Sequence, residues 1–190
     1  MERPLDKTIP EVAPRLPVVF DRLKETEETD YIRFRLLFIT PPNPNLSGRE
    51  RKKLLSRLDR GDQCFVARYA GEIVNAGWVC HSSTGKIEIK DLRQEIKLAP
   101  DEVYLDDAYT SPQFRNQKIQ QARHSWMLRV LRDAGFRRAI GYVRLDNSAQ
   151  IRALEKTGYQ SFAVIGYAKI GPFQHDFVGP PPPPREPLQS

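Results

Sequence analysis

The chain has 190 residues, 39% hydrophobic and 28% charged, a balance that belongs to a folded globular protein and excludes general disorder. A chain of that length buries roughly 70% of its unfolded surface, so one domain holds without a disulfide or metal staple. Its 30 Lys and Arg against 24 Asp and Glu give a net charge of +6, which suits an anionic partner as readily as it suits a plain solvated surface, and no apolar run approaches the roughly 20 residues of a membrane helix.

In chain order, residues 1–17 hold Pro4, Pro10, Pro14 and Pro17, no sustained period and no apolar signal-peptide core. They are expected as a Pro-rich N-terminal extension. Val18 to Ile39 reads as mostly helical, with Tyr31, Ile32, Phe34, Leu36, Leu37 and Phe38 after an acidic stretch, until the prolines of Pro41 to Asn45 stop it. Ser47 and Glu50 then have the spacing of a capping box before a helix with Leu54, Leu55 and Leu58 on one face, closed by Gly61. The same helix carries Arg49, Arg51, Lys52, Lys53, Arg57 and Arg60. These read as a solvated face; they would also suit an acidic carrier protein, whereas nucleic acid is disfavoured because no aromatic stacking platform accompanies them.

Cys64 to Tyr69 and Ile73 to Cys80, joined at Ala70-Gly71, predict a β-hairpin. Ile87 to Ile89 and Val103 to Thr110 are further strands. From Ile119 the period lengthens: Ile119, Ala122, Trp126, Met127, Val130, Leu131 and Ala134 share a helical face that ends at Gly135. Arg138 to Val143 reads as a strand, Asn147 as the cap of a helix carrying Ile151 and Leu154 and closed by Gly158, and Phe162 to Ile170 as a last strand. The order predicts an α+β domain over residues 18–172, with a mixed, mainly antiparallel twisted sheet flanked by helices. Residues 173–190, with five prolines at Pro180 to Pro184, are expected as a polyproline-type tail.

Cys64 and Cys80 form no CxxC pair, and His81, His124 and His175 have no ligand spacing, so neither a disulfide framework nor a metal site is expected. A reducing cytoplasm is the default compartment. Cys80 and His81 diverge on a strand, and His124 and Ser125 lie about 100° apart on a helix, so neither pair can act as nucleophile and base. The informative junction is SPQFRNQ, between the strand ending at Thr110 and the helix starting near Lys118. Backbone amides of a first helical turn lack partners and, with the helix dipole, bind phosphate oxygens. Arg115 and Lys118 put full positive charge at that end, which is unfavourable unless an anion visits; the alternative is an exposed turn with solvated charges.

The run SPQFRNQKIQQARHSWML, followed by VRLDNSAQIRALEKTGY, resembles the GCN5-related N-acetyltransferase (GNAT) superfamily. Arg115 stands at the first position of the family's R/Q-x-x-G-x-G/A acyl-CoA motif, and Asn147, Glu155, Lys156, Gly158 and Tyr159 match its downstream N-x-x-A-x-x-L-Y-E-K-x-G-F segment. The hairpin CFVARYAGEIVNAGWVC resembles the family's second and third strands, so the likeness covers about Asp62 to Ile170. It implies direct transfer of an acetyl or similar acyl group from acyl-CoA to an amine of a small molecule or biosynthetic intermediate, without a metal. Monomer and dimer both remain compatible with it.

By resemblance, acyl-CoA would lie along Ala108, Tyr109 and Thr110, with Arg115, Asn116, Gln117, Lys118, Ile119 and Gln120 at its phosphates. Asn147 would bond the pantetheine arm or merely cap its helix, the cap being the better supported. Asp107 is the favoured base or amine anchor and Asp106 its rival, because neighbours on a strand face opposite sides; a carboxylate that caps a neighbouring element is the alternative. Tyr109 and Tyr104 are candidate proton donors or core aromatics. Lys118 and Gln120 replace the motif's glycines, at positions where a helical backbone would admit any residue, and Leu154 replaces the family's frequent tyrosine. These departures motivate a second reading, a catalytically silent acyl-CoA-binding or interaction module.

Overall fold

The protein is described by a computed structural model over residues 1–36, 45–81, 87–88, 95–171 and 173–181. Its central sheet joins six strands in the order β1-β8-β7-β4-β3-β2. These are β1 (Glu2–Pro4), β2 (Val19–Arg22), β3 (Gln63–Tyr69), β4 (Glu72–His81), β7 (Glu102–Thr110) and β8 (Arg138–Gly141). Every neighbouring pair is antiparallel except β7 and β8, which run parallel because helix α3 (Ile119–Asp133) returns the chain between them. Two short pairs stand apart: β5 (Ile87–Glu88) with β6 (Glu95–Ile96), and β9 (Val164–Ile170) with β10 (Phe173–Gly179).

Period-two alternation gives the sheet two apolar faces. Cys64 and Val66 pack with Tyr31 and Phe34 of α1 (Glu28–Leu36), Leu54 of α2 (Asn45–Asp59) and Trp78. Phe65, between them, packs with Met127, Leu128 and Leu131 of α3 and Leu154 of α4 (Ser148–Lys156). The sheet is therefore covered on both sides by helices, the α+β architecture expected. Ala70 and Gly71, at φ +50° and +85°, make the two-residue turn whose left-handed backbone matches the twist of β3 and β4.

Four expectations are corrected. Val18 to Ile39 is not one helix: Val19–Arg22 pairs with β3, and helix runs only from Glu28 to Leu36. Local period lost to tertiary contact there, since Phe20 stacks on Trp126 with centroids 5.8 Å apart. Helix α2 starts at Asn45, so Ser47 lies inside it and not at its cap. Leu37, Phe38, Ile39, Pro41 to Pro44 and Ile89 lie outside the described residues.

Residues 1–17 are not a loose extension. Glu2–Pro4 pairs with β8, Leu5 is wholly buried and Ile9 nearly so, and the buried Arg3 guanidinium donates to the carbonyls of Thr157 and Thr8. Pro4 is tolerated because it ends an edge strand. At the other end, residues 173–179 form β10 against β9, with the alternating side chains that a proline run cannot offer. Residues 182–190, with most of the proline run, lie outside the described residues. Among the described residues no helix is long and apolar enough to cross a membrane.

Candidate active site

Strands β7 and β8 pair from Glu102↔Arg138 to Leu105↔Gly141, yet β7 continues to Thr110. Among the described residues, the edge of Asp106 to Thr110 turned away from β4 has no strand beside it, so the sheet opens there into a cleft. On its other edge β7 carries a bulge: Trp78 pairs with Asp106 and Ala76 with Tyr109, leaving Gly77 opposite both Asp107 and Ala108. Asp107 adopts φ +50° to make this extra step.

The bulge overturns the expectation that only one of the two aspartates could face one side. Arg57 of α2 donates through Nη2 to Asp106 and lies 3.9 Å from Asp107 Oδ2. Asp107 also accepts from Lys53 Nζ at 2.7 Å and from Arg35 Nη1 of α1 at 3.3 Å, while Arg35 Nε donates to Glu50 at 3.2 Å. Burial alone would raise the Asp107 pKa, but the Lys53 hydrogen bond and the charges of Arg35, Lys53 and Arg57 outweigh it and hold the carboxyl below its usual range. Asp107 is thus a fixed anion and a weak base.

The resemblance directs substrate contacts to the segments Val18 to Ile39 and Ser47 to Arg60, which hold Arg35, Glu50, Lys53 and Arg57, but sequence reasoning singled out none of these four as site residues. Lys53 and Arg57 were read as a solvated face, yet their i, i+4 spacing puts them together on the border of the Leu54–Leu58 stripe. Arg57 is 6% exposed, with its guanidinium 4.9 Å over the Trp78 ring and its Nη1 unpartnered among the described residues. Arg49, Arg51, Lys52 and Arg60 are exposed as expected.

After Ser111 a 3-10 turn (Pro112–Phe114) leads to Arg115, whose Nη2 donates to the Tyr109 hydroxyl at 3.1 Å. Asn116 and Lys118 are left-handed, at φ +62° and +58°, and Lys118 is the N-cap residue of α3. The helical backbone expected at Lys118 is therefore wrong; a lysine holds a conformation that suits the family's glycine. Its side chain is exposed and does not plug the turn. Among the described residues, the amides of Asn116 to Gln121 have no protein acceptor; the segment's first helical bond runs from Ala122 to Lys118. Arg15 straps the turn through carbonyls only, its amide donating to Gln117 at 2.9 Å and its Nη1 to Asn116 at 3.4 Å. Free amides beside Arg15, Arg115 and Lys118 fit a diphosphate.

Ile119 is buried, and Gln120 reaches across the cleft, accepting from Thr110 Oγ1 and donating to Gln150 Oε1, both at 3.4 Å. Thr110 Oγ1 and the Tyr109 carbonyl accept from Asn75 Nδ2 at 2.8 and 2.7 Å; Asn75 in turn accepts from the buried Arg123. Ala108 lies in the bulge itself. Asn147 acts as the helix cap, its Oδ1 accepting from the Gln150 amide at 3.1 Å. Leu154, at the position of the family's tyrosine, is in the core. Tyr104 is buried away from the cleft, with its hydroxyl pKa pushed up by that burial. Burial likewise pushes the Cys64 and Cys80 thiols up to about 12, so neither is a nucleophile at neutral pH. Among the described residues no cluster of metal-ligating side chains occurs.

Comparison with known proteins agrees with this fold. The solved structure of ribosomal-protein-S18-alanine N-acetyltransferase from Escherichia coli aligns at TM-score 0.57 and 16% identity, over 78% of this chain and 80% of that one. AAC(6')-Iy in complex with a bisubstrate analogue, CoA-S-monomethyl-acetylneamine, aligns at TM-score 0.57 and 14% identity, over 80% and 98%. The aminoglycoside acetyltransferase meta-AAC0020, from an uncultured soil metagenomic sample and in complex with sisomicin, aligns at 0.56 and 15%, over 80% and 96%. No curated protein matches. The sequence model of the acetyltransferase (GNAT) family matches residues 23–159, from before α1 to beyond α4 and including β3, β4, β7 and β8 of the sheet, and the chain belongs to that family.

Proposed function

We propose that the chain is an acyl-CoA-dependent N-acyltransferase, most simply an N-acetyltransferase, acting by direct transfer on an amine of a small molecule or biosynthetic intermediate. The observation that carries the reading is the cleft. A sheet opened beyond Leu105 and Gly141 leads directly to a helix start whose amides have no acceptor among the described residues. Acyl-CoA supplies an activated thioester carbonyl. The amides of Asn116 to Gln121, with Arg115 and Lys118, hold a diphosphate, and the stretch of β7 from Ala108 to Thr110, beyond the pairing with β8, orients an extended arm and offers an amide to a developing oxyanion.

Asp107, kept ionised by Arg35, Lys53 and Arg57, gives the α1–α2 side an anion that attracts an incoming ammonium rather than a strong base, and Asp106 supports Arg57 beside it. Tyr109, whose hydroxyl accepts from Arg115, is the proton donor of this reading. The ribosomal-protein enzyme among the neighbours extends the acceptor class to a protein amine, whereas the aminoglycoside acetyltransferase with sisomicin and AAC(6')-Iy with its acetylneamine analogue support a small-molecule amine.

The burial of Leu154 supports a second reading, a silent acyl-CoA-binding module. Calorimetric titration with acetyl-CoA, followed by thiol release with a panel of amines, separates the two. The first reading expects saturable binding and release with at least one amine. Binding without release across the panel supports the silent module, and absence of binding removes both.

A further inference from the structure

Asp107 presents two carboxylate oxygens toward the acceptor side, and both are already taken. Arg35 Nη1 holds Oδ1 at 3.3 Å and Lys53 Nζ holds Oδ2 at 2.7 Å. Arg57 bonds Asp106. Of these three cations the two guanidiniums stay protonated at any physiological pH, whereas a lysine amine can lose its proton and become a nucleophile. Lys53 therefore occupies the seat that an acceptor amine would need. Its side chain is 30% exposed, open enough to react and held enough to be oriented. The next residue, Lys52, is exposed and lies about 100° around α2, facing away.

We infer that Lys53 is itself an acceptor: the chain acylates Lys53 Nζ from bound acyl-CoA. This rests on the acyl-CoA reading above. The bond that forms is between Nζ and the acyl carbon, and the bond that breaks is the thioester C–S bond. The Lys53 ammonium gives up two protons, one to solvent before attack and one that ends on the departing coenzyme A thiolate, while Asp107 Oδ2 orients the nitrogen as a fixed anion. No oxidant or further reactant is needed. The product amide carries no charge, so Asp107 keeps Arg35 and Arg57 but loses its shortest partner, and Oδ2 becomes open to an external ammonium. Geometry distinguishes this from random chemical acylation: an oriented internal nucleophile has a large effective concentration, and exposed lysines do not.

The experiment incubates the full chain with acetyl-CoA alone and follows Lys53 and Lys52 by intact mass and peptide mapping, with acetyl-CoA binding measured calorimetrically on the same preparation. The expected result is one acetyl group on Lys53, added at least about tenfold faster than on Lys52, at a rate that saturates with acetyl-CoA and does not depend on protein concentration. The K53R variant keeps a cation at the position and should lose the mark. If acetyl-CoA binds and Lys53 gains acetyl no faster than Lys52, the inference fails while the acyl-CoA reading stands. If acetyl-CoA does not bind, the reading fails and takes the inference with it.

Discussion

His124 shows how one buried side chain ties stability to pH. Its ring lies 5.5 Å from that of Tyr159, and its Nε2 is shielded with no partner among the described residues. Burial, reinforced by the charges of Arg123 and Arg3, pushes its pKa from 6.5 down to about 3. The imidazole is thus neutral in the fold but takes a proton near 6.5 when the chain unfolds. Stability is full above 6.5 and declines as pH falls from there toward 3, by no more than about 1.4 kcal/mol per pH unit from this group. Urea unfolding between neutral pH and about pH 5 should show the decline, and His124→Gln should flatten it. An unchanged slope in the variant would place the acid sensitivity elsewhere.

At the scale of elements, the bulge on β7 decides what the site can be. It depends on Gly77, the residue facing Asp107 and Ala108, and on Arg123 beneath it. A Cβ at Gly77 would stand 2.5 Å from Arg123 Nη2 and 2.9 Å from its Cζ. Arg123 is 1% exposed and tied to Asn75, which holds the Tyr109 carbonyl and Thr110 hydroxyl. Gly77→Ala should therefore cost about 1–3 kcal/mol in chemical denaturation, the usual penalty of overpacking. A loss within about 0.5 kcal/mol would mean that the guanidinium yields freely. The hairpin, the turn from Ser111 to Lys118 and the Asn147 cap were legible as elements because each is written in adjacent residues. The bulge was not: it arises where two strands of unequal pairing meet, and no local pattern around Asp107 announces it.

For the molecule as a whole, the first residues matter more than their composition suggests. Leu5 is fully buried with Val103, Met127 and Ala139, and Arg3 reaches Thr157 beneath the left-handed Gly158. Leu5→Ala should cost about 2–5 kcal/mol and lower the melting temperature, as deletion of a buried leucine does. A loose extension would leave that temperature unchanged. Sequence alone determined the alternation of apolar residues on β3 and β4, the amphipathic period of α3, the turn at Ala70-Gly71 and the basic start of α3, because such signals need only neighbours a few residues away. Only the tertiary structure decided that Glu2–Pro4 joins β8, that Val19–Arg22 is a strand, and that Lys53 and Arg57 turn inward to two aspartates far along the chain. Those outcomes depend on which surfaces meet when the core closes, and a pairing between distant segments leaves no period in either of them.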